Sequence, residues 1–134
     1  MCSSDLYLRA VRGELSVAPR LRELAMCAVA TLNGAEYEYL HHAPEFVAAG
    51  GTPSQAEALR QPDAALAGPL FPEPDRAVLE LTIAMTREVA VPDALFARVL
   101  ASLGERAAVE IVAVIATYNM VSRFLVALGV TPED

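Results

Sequence analysis

The sequence has no tryptophan, and its 134 residues include only two cysteines, four tyrosines and four phenylalanines. Two cysteines, one of them the second residue, do not indicate a disulfide framework, so a cytoplasmic location is expected. Basic side chains are also scarce, with ten against 17 acidic ones and a net charge of −7. An acidic surface without a basic stripe repels phosphate backbones, so nucleic acid is not an expected partner.

The sequence also lacks an uninterrupted apolar run of the ~20 residues that a membrane span needs. The longest candidate, residues 107–121, is interrupted by Glu110 and Asn119, and it is interpreted as a buried helix. The polar N-terminal segment offers no apolar core for an export signal. Neither a membrane nor an export pathway is therefore an expected partner.

Apolar residues, in contrast, are abundant, at 54% of the chain. Most are Ala, Leu and Val, and the strict alternation typical of exposed strands is rare. The composition and length predict one all-α domain. So much apolar surface in a short chain also predicts that some of it is buried between subunits of a homo-oligomer.

Start and stop signals divide the chain into about six helices. The first 17 residues have no convincing pattern, apart from the end of a helix near residues 6–11. Thr52-Pro53 with Gln55 is a capping-box sequence that starts a short helix. Residues 61–74 hold four prolines and are predicted to be a connector. The predicted helices cover about 18–32, 35–49, 53–60, 75–88, 94–103 and 105–128, and the last is apolar nearly all round, which is typical of a central or intersubunit helix.

The candidate site lies at the corner between the first two of these helices. Glu38 and His42 are four residues apart and share a helix face. Glu23 lies on the preceding helix, eleven residues before Gly34. Spacing alone leaves open whether Glu23 reaches His42 within one subunit or across an interface.

The chain resembles the carboxymuconolactone decarboxylase family, which includes the alkylhydroperoxidase D-like proteins. The matching segments are LRELAMCAVATLNGAEYEYLHH, AAGGTPSQAEALR and ERAAVEIVAVIATYNMVSRFLVALGV. The resemblance implies an alkylhydroperoxidase D-like multi-helix domain over residues 18–131 that assembles into trimers or hexamers. It also implies a small-molecule substrate and no cofactor. Longer relatives have extra helical sequence before this domain, so residues 1–17 are expected to be a shortened N-terminal segment.

The family's thiol peroxidase branch carries Cys-x-x-Cys, then three residues and a histidine, with a glutamate upstream. On this chain the glutamate and histidine of that pattern fall on Glu23 and His42, but its cysteines fall on Ala35 and Glu38. Without a thiolate there is no peroxidatic nucleophile. Cys27, on the preceding helix, is interpreted as a small core residue.

The decarboxylase branch needs no thiol. Loss of carbon dioxide from carboxymuconolactone leaves electrons that delocalise into the lactone carbonyl, after which carbon must receive a proton. His42 is suited to donate that proton, and Glu23 or Glu38 to orient and charge its ring. Candidate groups for the lactone oxygen or the substrate carboxylate are Tyr37, Tyr118, Asn119 and Arg123.

Several residues of this region also have a purely structural interpretation. Adjacent side chains on a helix diverge by about 100°, so His41 is expected on the surface or at an interface. The same divergence argues against a metal site, and none is predicted. Glu36 is typical of a solvated first helical turn. Tyr118, Asn119 and Arg123 could equally be satisfied by structural hydrogen bonds.

Three functions follow from the resemblance. The first is a cofactor-free carbon–carbon lyase or isomerase of aromatic catabolism, which acts on a small lactone or carboxylated ring through His42. The second is a peroxiredoxin-like antioxidant activity, which the missing Cys-x-x-Cys disfavours. The third is a non-catalytic small-molecule-binding or assembly protein on the same fold.

Overall fold

The computed structural model describes residues 3–133, and these residues form eight α-helices and no strand. The prediction of an all-α fold is confirmed. The helix inside the expected connector was not predicted, and of the N-terminal helix only the end near residues 6–11 was. The helices are α1 (Ser3–Gly13), α2 (Pro19–Leu32), α3 (Glu36–Ala48), α4 (Pro53–Ala58), α5 (Pro62–Ala67), α6 (Asp75–Glu88), α7 (Asp93–Leu103) and α8 (Glu105–Ala127).

The expected connector of residues 61–74 contains α5, so that part of the prediction is wrong. Pro62 occupies the first turn of α5, where a proline costs no hydrogen bond. The alanine-rich sequence that follows favours a helix. Arg76 then donates to the carbonyl oxygens of Leu66 and Gly68, which satisfies the C-terminal end of this short helix. Prolines in this segment therefore start a helix as well as break one.

The centre of the fold is α2, which packs against α3, α6 and α8. Its residues from Glu23 to Ala30 are all buried. Many of them are alanine, and such small side chains let neighbouring helices approach α2 from several sides. The sequence predicts a central or an intersubunit position for the last helix, because the apolar character of that helix is continuous.

The last helix, α8, is instead buried on one side only. Ile111, Ile115 and Tyr118 enter the core, whereas Met120 and Phe124 are exposed. By length and composition α8 is apolar enough to cross a membrane, but 44% of its most apolar window is buried inside the fold. It contacts α2, α6 and α7, as a core helix of a folded domain does.

The turn between α2 and α3 sets the geometry of the candidate site. Gly34 has a φ of 70°, which is the left-handed conformation that glycine adopts without strain. The Ala35 N–H donates to the Ala30 carbonyl at 2.8 Å, and the Gly34 N–H to the Thr31 carbonyl at 3.2 Å. These two bonds form a Schellman motif, which ends α2 and turns the chain back so that α3 packs along α2.

The N-terminal helix α1 lies against α8. The Tyr7 hydroxyl shares a hydrogen bond of 2.7 Å with the Thr117 hydroxyl. The segment after α1 is fixed by Glu110, which accepts from the Ser16 N–H, the Ser16 hydroxyl and the Val17 N–H at 2.6–3.0 Å. The Ser16 hydroxyl is the largest of the causes that lower the pKa of Glu110 to about 2. The segment in which only the end of a helix was expected thus contains a helix of eleven residues with a fixed position.

Candidate active site

His42 is buried, with only 4% of its surface exposed, between two carboxylates of the same chain. Its Nδ1 lies 2.7 Å from Glu23 Oε2, which is a short hydrogen bond. Glu23 is about three helical turns before the corner, and His42 is about two turns after it. The side chains of Glu23 and His42 are long enough to bridge this difference in position along the two helices. The question that spacing left open is therefore answered: Glu23 reaches His42 within one subunit.

The second carboxylate, Glu38, stands on the other side of the ring. Its Oε2 is 3.3 Å from Nε2 of His42, one helical turn along α3. This is ion-pair distance, but the alignment is not that of a hydrogen bond, and Nε2 is a buried nitrogen without a hydrogen-bond partner among the described residues. Glu38 is therefore an electrostatic neighbour of Nε2, and no aligned hydrogen bond within the described residues occupies this nitrogen.

The surroundings of His42 hold its ring protonated. Burial by itself lowers the pKa of the imidazole, because it disfavours the charged form. The hydrogen bond to Glu23 and the nearby Glu38 carboxylate act in the opposite direction and outweigh burial, so that the pKa rises from 6.5 to about 9. At neutral pH His42 is therefore an imidazolium and a proton donor.

Arg22 completes the charge balance on the far side of Glu23. Its Nε lies 3.9 Å from Glu23 Oε1, and the side chain is largely buried. Like Nε2 of His42, this Nε has no hydrogen-bond partner among the described residues. The buried group thus contains two carboxylates and two cations, which keeps its net charge near zero.

Tyr118 of α8 forms the wall next to His42. The two rings meet edge to face, with centroids 5.0 Å apart. The Tyr118 hydroxyl accepts a hydrogen bond of 3.0 Å from Nε of Arg12 on α1. Burial raises the pKa of Tyr118, and Arg12 lowers it by a smaller amount, so the phenol keeps its proton at neutral pH. Tyr118 is therefore a hydrogen-bond donor beside the imidazolium.

Two of the predicted substrate-binding residues belong to a different set of contacts. Asn119 Oδ1 accepts from Asn33 Nδ2 at 3.0 Å and from Arg123 Nη1 at 2.7 Å. Its Nδ2 donates to the Thr86 hydroxyl at 3.0 Å. Because Tyr118 and Asn119 are adjacent on a helix, their side chains point about 100° apart. The structure therefore does not bring Asn119 or Arg123 to the imidazole.

The remaining candidates on α3 face outward. Tyr37 is 43% exposed and lines a shallow surface pocket with Leu40, His41 and Pro132. His41 is exposed, as predicted. Glu36 is exposed as well, but it is not simply solvated, because Arg60 donates to it at 3.1 Å. Helical spacing thus separated His42 from His41 correctly, but the substrate-binding role expected of Tyr37 is wrong, because its side chain lies on the outer face of α3, away from the imidazole.

The thiol chemistry of the peroxidase branch has no counterpart at this corner. Cys27 is completely buried on α2, and burial, followed by the charge of Glu23, raises its pKa to about 12. The expectation that Cys27 is a small core residue is confirmed. Ala35 is buried at the start of α3, and Glu38 takes the place nearest to Nε2.

The site is closed in the isolated chain. None of five surface pockets on the described residues is lined by His42, Glu23 or Glu38. Within residues 3–133, no group of three or more His, Cys, Asp and Glu side chains is arranged to hold a metal ion. The group near His42 is thus a compact cluster of acids, an imidazole and a phenol.

Sequence reasoning missed Arg12 and Arg22. The sequence could have indicated Arg22, because it is next to Glu23 and a buried carboxylate needs a cation nearby. Nothing in the sequence links Arg12 to the site, since it is more than a hundred residues from Tyr118 and lies in the N-terminal segment without a convincing pattern.

The fold and this cluster define a class of protein: an all-α domain with a buried carboxylate–imidazole pair at a helix corner. The model of the carboxymuconolactone decarboxylase family matches residues 5–73, which is just over half of the chain. The chain belongs to this family. No significant match was found among curated proteins.

A solved structure has the same fold. It is the crystal structure of an uncharacterized peroxidase-related protein from Silicibacter sp. TM1040, with a TM-score of 0.81 and 21% sequence identity. The match covers 96% of this chain and 67% of that chain. At this identity the likeness establishes the alkylhydroperoxidase D-like fold and leaves the activity to be argued from the site.

Proposed function

We propose that the protein is a cofactor-free lyase that decarboxylates a small carboxylated lactone, with His42 as its general acid. The observation that carries the proposal is the buried imidazolium, whose Nδ1 is bound to Glu23 while Nε2 has no hydrogen-bond partner. A charged donor with one free nitrogen, held away from water, is suited to deliver a proton to carbon.

The reaction divides into two steps at this site. The bond between ring carbon and carboxylate breaks, carbon dioxide leaves, and the electron pair enters the conjugated lactone carbonyl as a dienolate. His42 then transfers its Nε2 proton to carbon, and the neutral imidazole regains a proton from water. Tyr118, whose ring lies 5.0 Å from the His42 ring between centroids, donates its hydroxyl proton in a hydrogen bond to the dienolate oxygen.

Glu23 and Glu38 have different roles in this scheme. Glu23 holds Nδ1 and fixes the orientation of the ring, which makes it a positioning residue. Glu38 stabilises the charge at Nε2 from 3.3 Å without occupying that nitrogen through an aligned hydrogen bond. Arg22 balances Glu23 from the other side.

The experiment is a decarboxylation assay on carboxymuconolactone that compares the unaltered protein with His42→Gln. Glutamine has a similar reach and can donate to Glu23, but it carries no acidic proton. We expect turnover to fall by about 10²- to 10⁴-fold, which is the usual contribution of a general acid. His41→Gln is the matched control, because it removes an exposed imidazole from the same helix.

Folding of each variant is checked by circular dichroism and thermal unfolding. Equal loss of turnover in the two histidine variants, or an unchanged rate in His42→Gln, would contradict the proposal. Reduction of a hydroperoxide is measured with the same set of proteins. Since a buried thiol with a pKa of about 12 is a poor nucleophile, Cys27→Ala is expected to leave lactone turnover intact.

The closed site favours one alternative, a non-catalytic member of the fold. The helix corner is filled by side chains, and none of the five pockets reaches His42. Turnover of any lactone that depends on His42 separates the enzyme from this alternative.

We also propose that the protein is a cytoplasmic homo-oligomer. Met120 and Phe124 on α8 and Leu128 at its C-terminal cap recur every four residues and are all more than half exposed. Such a stripe is typical of a helix that packs against another subunit. The unpaired thiol of Cys27 fits a reducing compartment. Sedimentation equilibrium is expected to give a trimer or hexamer, and a monomer at micromolar concentration would contradict the assembly.

A further inference from the structure

Arg22 is a largely buried cation whose side chain is poorly satisfied. Only 11% of the side chain is exposed, and its buried Nε has no hydrogen-bond partner among the described residues. A buried polar group without a partner destabilises a fold, so an arginine kept for stability is expected to have one. The position of Arg22 therefore indicates a use for its charge.

The charge of Arg22 acts first on Glu23. Nε of Arg22 lies 3.9 Å from Glu23 Oε1, which is ion-pair distance but too long for a hydrogen bond. The other oxygen of the same carboxylate, Oε2, lies 2.7 Å from Nδ1 of His42. Glu23 is therefore shared between two cations, with the imidazolium at one oxygen and the guanidinium at the other.

The titratable groups around His42 and its carboxylates come from four helices. They are Glu23, Arg22 and Cys27 on α2, Glu38 and His41 on α3, Tyr118 on α8, and Arg12 on α1, which reaches the group through Tyr118. The thiol and the phenol are neutral at neutral pH, because burial raises the pKa of both. His41 is exposed, and Arg60, which follows α4, pairs with the exposed Glu36. Besides His42, Arg22 is the cation within ion-pair distance of Glu23 in the part of the chain that the structure describes.

Arg22 opposes the effect of the two carboxylates on the imidazole. The carboxylates favour the protonated ring and outweigh burial, so that the pKa of His42 is about 9. A further cation disfavours the protonated ring, because like charges repel and because Arg22 neutralises part of the charge of Glu23. Without Arg22 the buried group would carry one more negative than positive charge, and His42 would hold its proton more tightly.

A tighter hold on the proton is a disadvantage for a general acid. Proton transfer is most effective when the pKa of the donor is near the working pH. With a pKa of about 9, His42 is already charged at neutral pH. A further rise would add almost no imidazolium, and it would slow the transfer of the proton to carbon.

We propose that Arg22 is a positioning residue for His42, which acts through Glu23 to limit how tightly the imidazole holds its proton. The importance of this role for turnover rests on the proposed function. The role goes beyond charge balance, because it fixes the sign of the effect: loss of Glu23 and loss of Arg22 should change the proton affinity of His42 in opposite directions.

The test follows the proton of His42 without any substrate. The ring signals of the two histidines are recorded by nuclear magnetic resonance as a function of pH, and His41→Gln identifies the signal of His42. The unaltered protein is compared with Arg22→Met, since methionine is a long side chain without a charge. Arg87→Met is the matched control, because it makes the same change of charge in an exposed ion pair with Asp63.

We expect the titration midpoint of His42 to rise by about one pH unit in Arg22→Met, as for a charge within about 4–6 Å of a titrating pair. Arg22→Lys should return the midpoint toward that of the unaltered protein, and Arg87→Met should leave it unchanged. Thermal unfolding checks that each variant folds, and Arg22→Gln is a second uncharged variant with the same expected rise. A midpoint that stays the same or falls in the folded uncharged variants would overturn the proposal.

Lactone turnover is measured on the same proteins. Arg22→Met is expected to be slower by about 3- to 10-fold at pH 7.5. The fall in its activity at alkaline pH should move to higher pH, which simple damage to the fold would not produce.

The two proposals fail separately. If the midpoint rises in Arg22→Met but no protein turns over any lactone, the lyase is wrong and the effect of Arg22 on His42 stands. If turnover depends on His42 but the midpoint does not rise, the lyase stands and the role of Arg22 is wrong.

Discussion

Two buried polar clusters lie between α2 and α8, and they differ in how completely they are satisfied. The imidazole cluster consists of Glu23, Glu38, His42 and Tyr118. The amide cluster consists of Asn33, Thr86, Asn119 and Ser122. Both include a residue from α2 or its C-terminal cap and neighbouring residues of α8.

In the amide cluster every group of Asn119 has a partner. Its oxygen accepts from Asn33 and Arg123, and its nitrogen donates to Thr86 and to the Ile115 carbonyl. Such a network fixes the packing of α2, α6 and α8 and leaves no atom for a ligand. We interpret the amide cluster as structural.

In the imidazole cluster one nitrogen is left over. Nε2 of His42 is buried without an aligned partner, although a carboxylate stands 3.3 Å away. Buried polar groups are rarely left unsatisfied, because each costs about 1–3 kcal/mol. Of two buried polar clusters of equal size, the incompletely satisfied one is therefore the candidate for chemistry.

After substitution of His42 itself, the largest effect is expected from Glu23→Gln, which removes a carboxylate from the imidazole cluster. Loss of the carboxylate removes the main group that raises the pKa of His42, so the pKa falls from about 9 toward 6.5. Less imidazolium is then present at neutral pH, and the ring is less well oriented. We expect lactone turnover to fall by about 10- to 100-fold at pH 7.5.

The pH profile distinguishes this effect from simple damage. Activity of the unaltered protein should fall as pH rises through about 9, because His42 loses its proton there. In Glu23→Gln that fall should occur at lower pH. Glu36→Gln removes an exposed carboxylate from α3 and serves as the control. Identical profiles for all three proteins would mean that Glu23 does not tune the imidazole.

The free energy of unfolding should also depend on pH through the protonation of His42. The pKa of His42 is raised on folding, so its stabilising contribution is complete below pH 6.5 and is lost as pH rises through about 9. Between these values the free energy of unfolding should decrease by up to about 1.4 kcal/mol per pH unit. Urea unfolding at several pH values measures this slope, which should disappear in His42→Gln.

A smaller effect is expected from Asn119→Ala, which disrupts the amide cluster. This substitution should lower stability and leave turnover unchanged. The substitution removes the donor to the Thr86 hydroxyl and one of the two acceptors of the Asn33 amide, which keeps its hydrogen bond to Ser122. We expect a loss of about 1–3 kcal/mol in the free energy of unfolding. Turnover by the folded fraction should stay unchanged. Gln61→Ala, which removes an exposed amide, is the control. A change in the pH profile of Asn119→Ala would mean that the two clusters are coupled.

Much of the fold could be predicted because its signals are local. Thr52 and Gln55 form the capping box that their spacing indicated, and Gly34 ends α2 at the predicted position. The short helix α5 was missed because prolines weigh against a helix in any local pattern. Only the end of α1 was predicted, because its contacts are with α8, which is distant in sequence.

In the candidate site, too, the contacts that are local in sequence could be predicted and the distant ones could not. Glu38 and His42 were paired correctly, since i, i+4 spacing on one helix leaves little freedom. Tyr118 and Asn119 were offered together, although adjacent positions on a helix face different neighbours. No rule of spacing assigns one of them to the imidazole.

The sequence by itself determined an all-α chain, the corner at Gly34 and a helix face that carries Glu38 and His42, because helical period and turn chemistry act over a few residues. Only the tertiary structure decided that Glu23 binds His42 within one subunit, and that Arg12 reaches the Tyr118 hydroxyl. Those contacts depend on how α1, α2, α3 and α8 pack, and burial between them is what turns an ordinary histidine into a charged one.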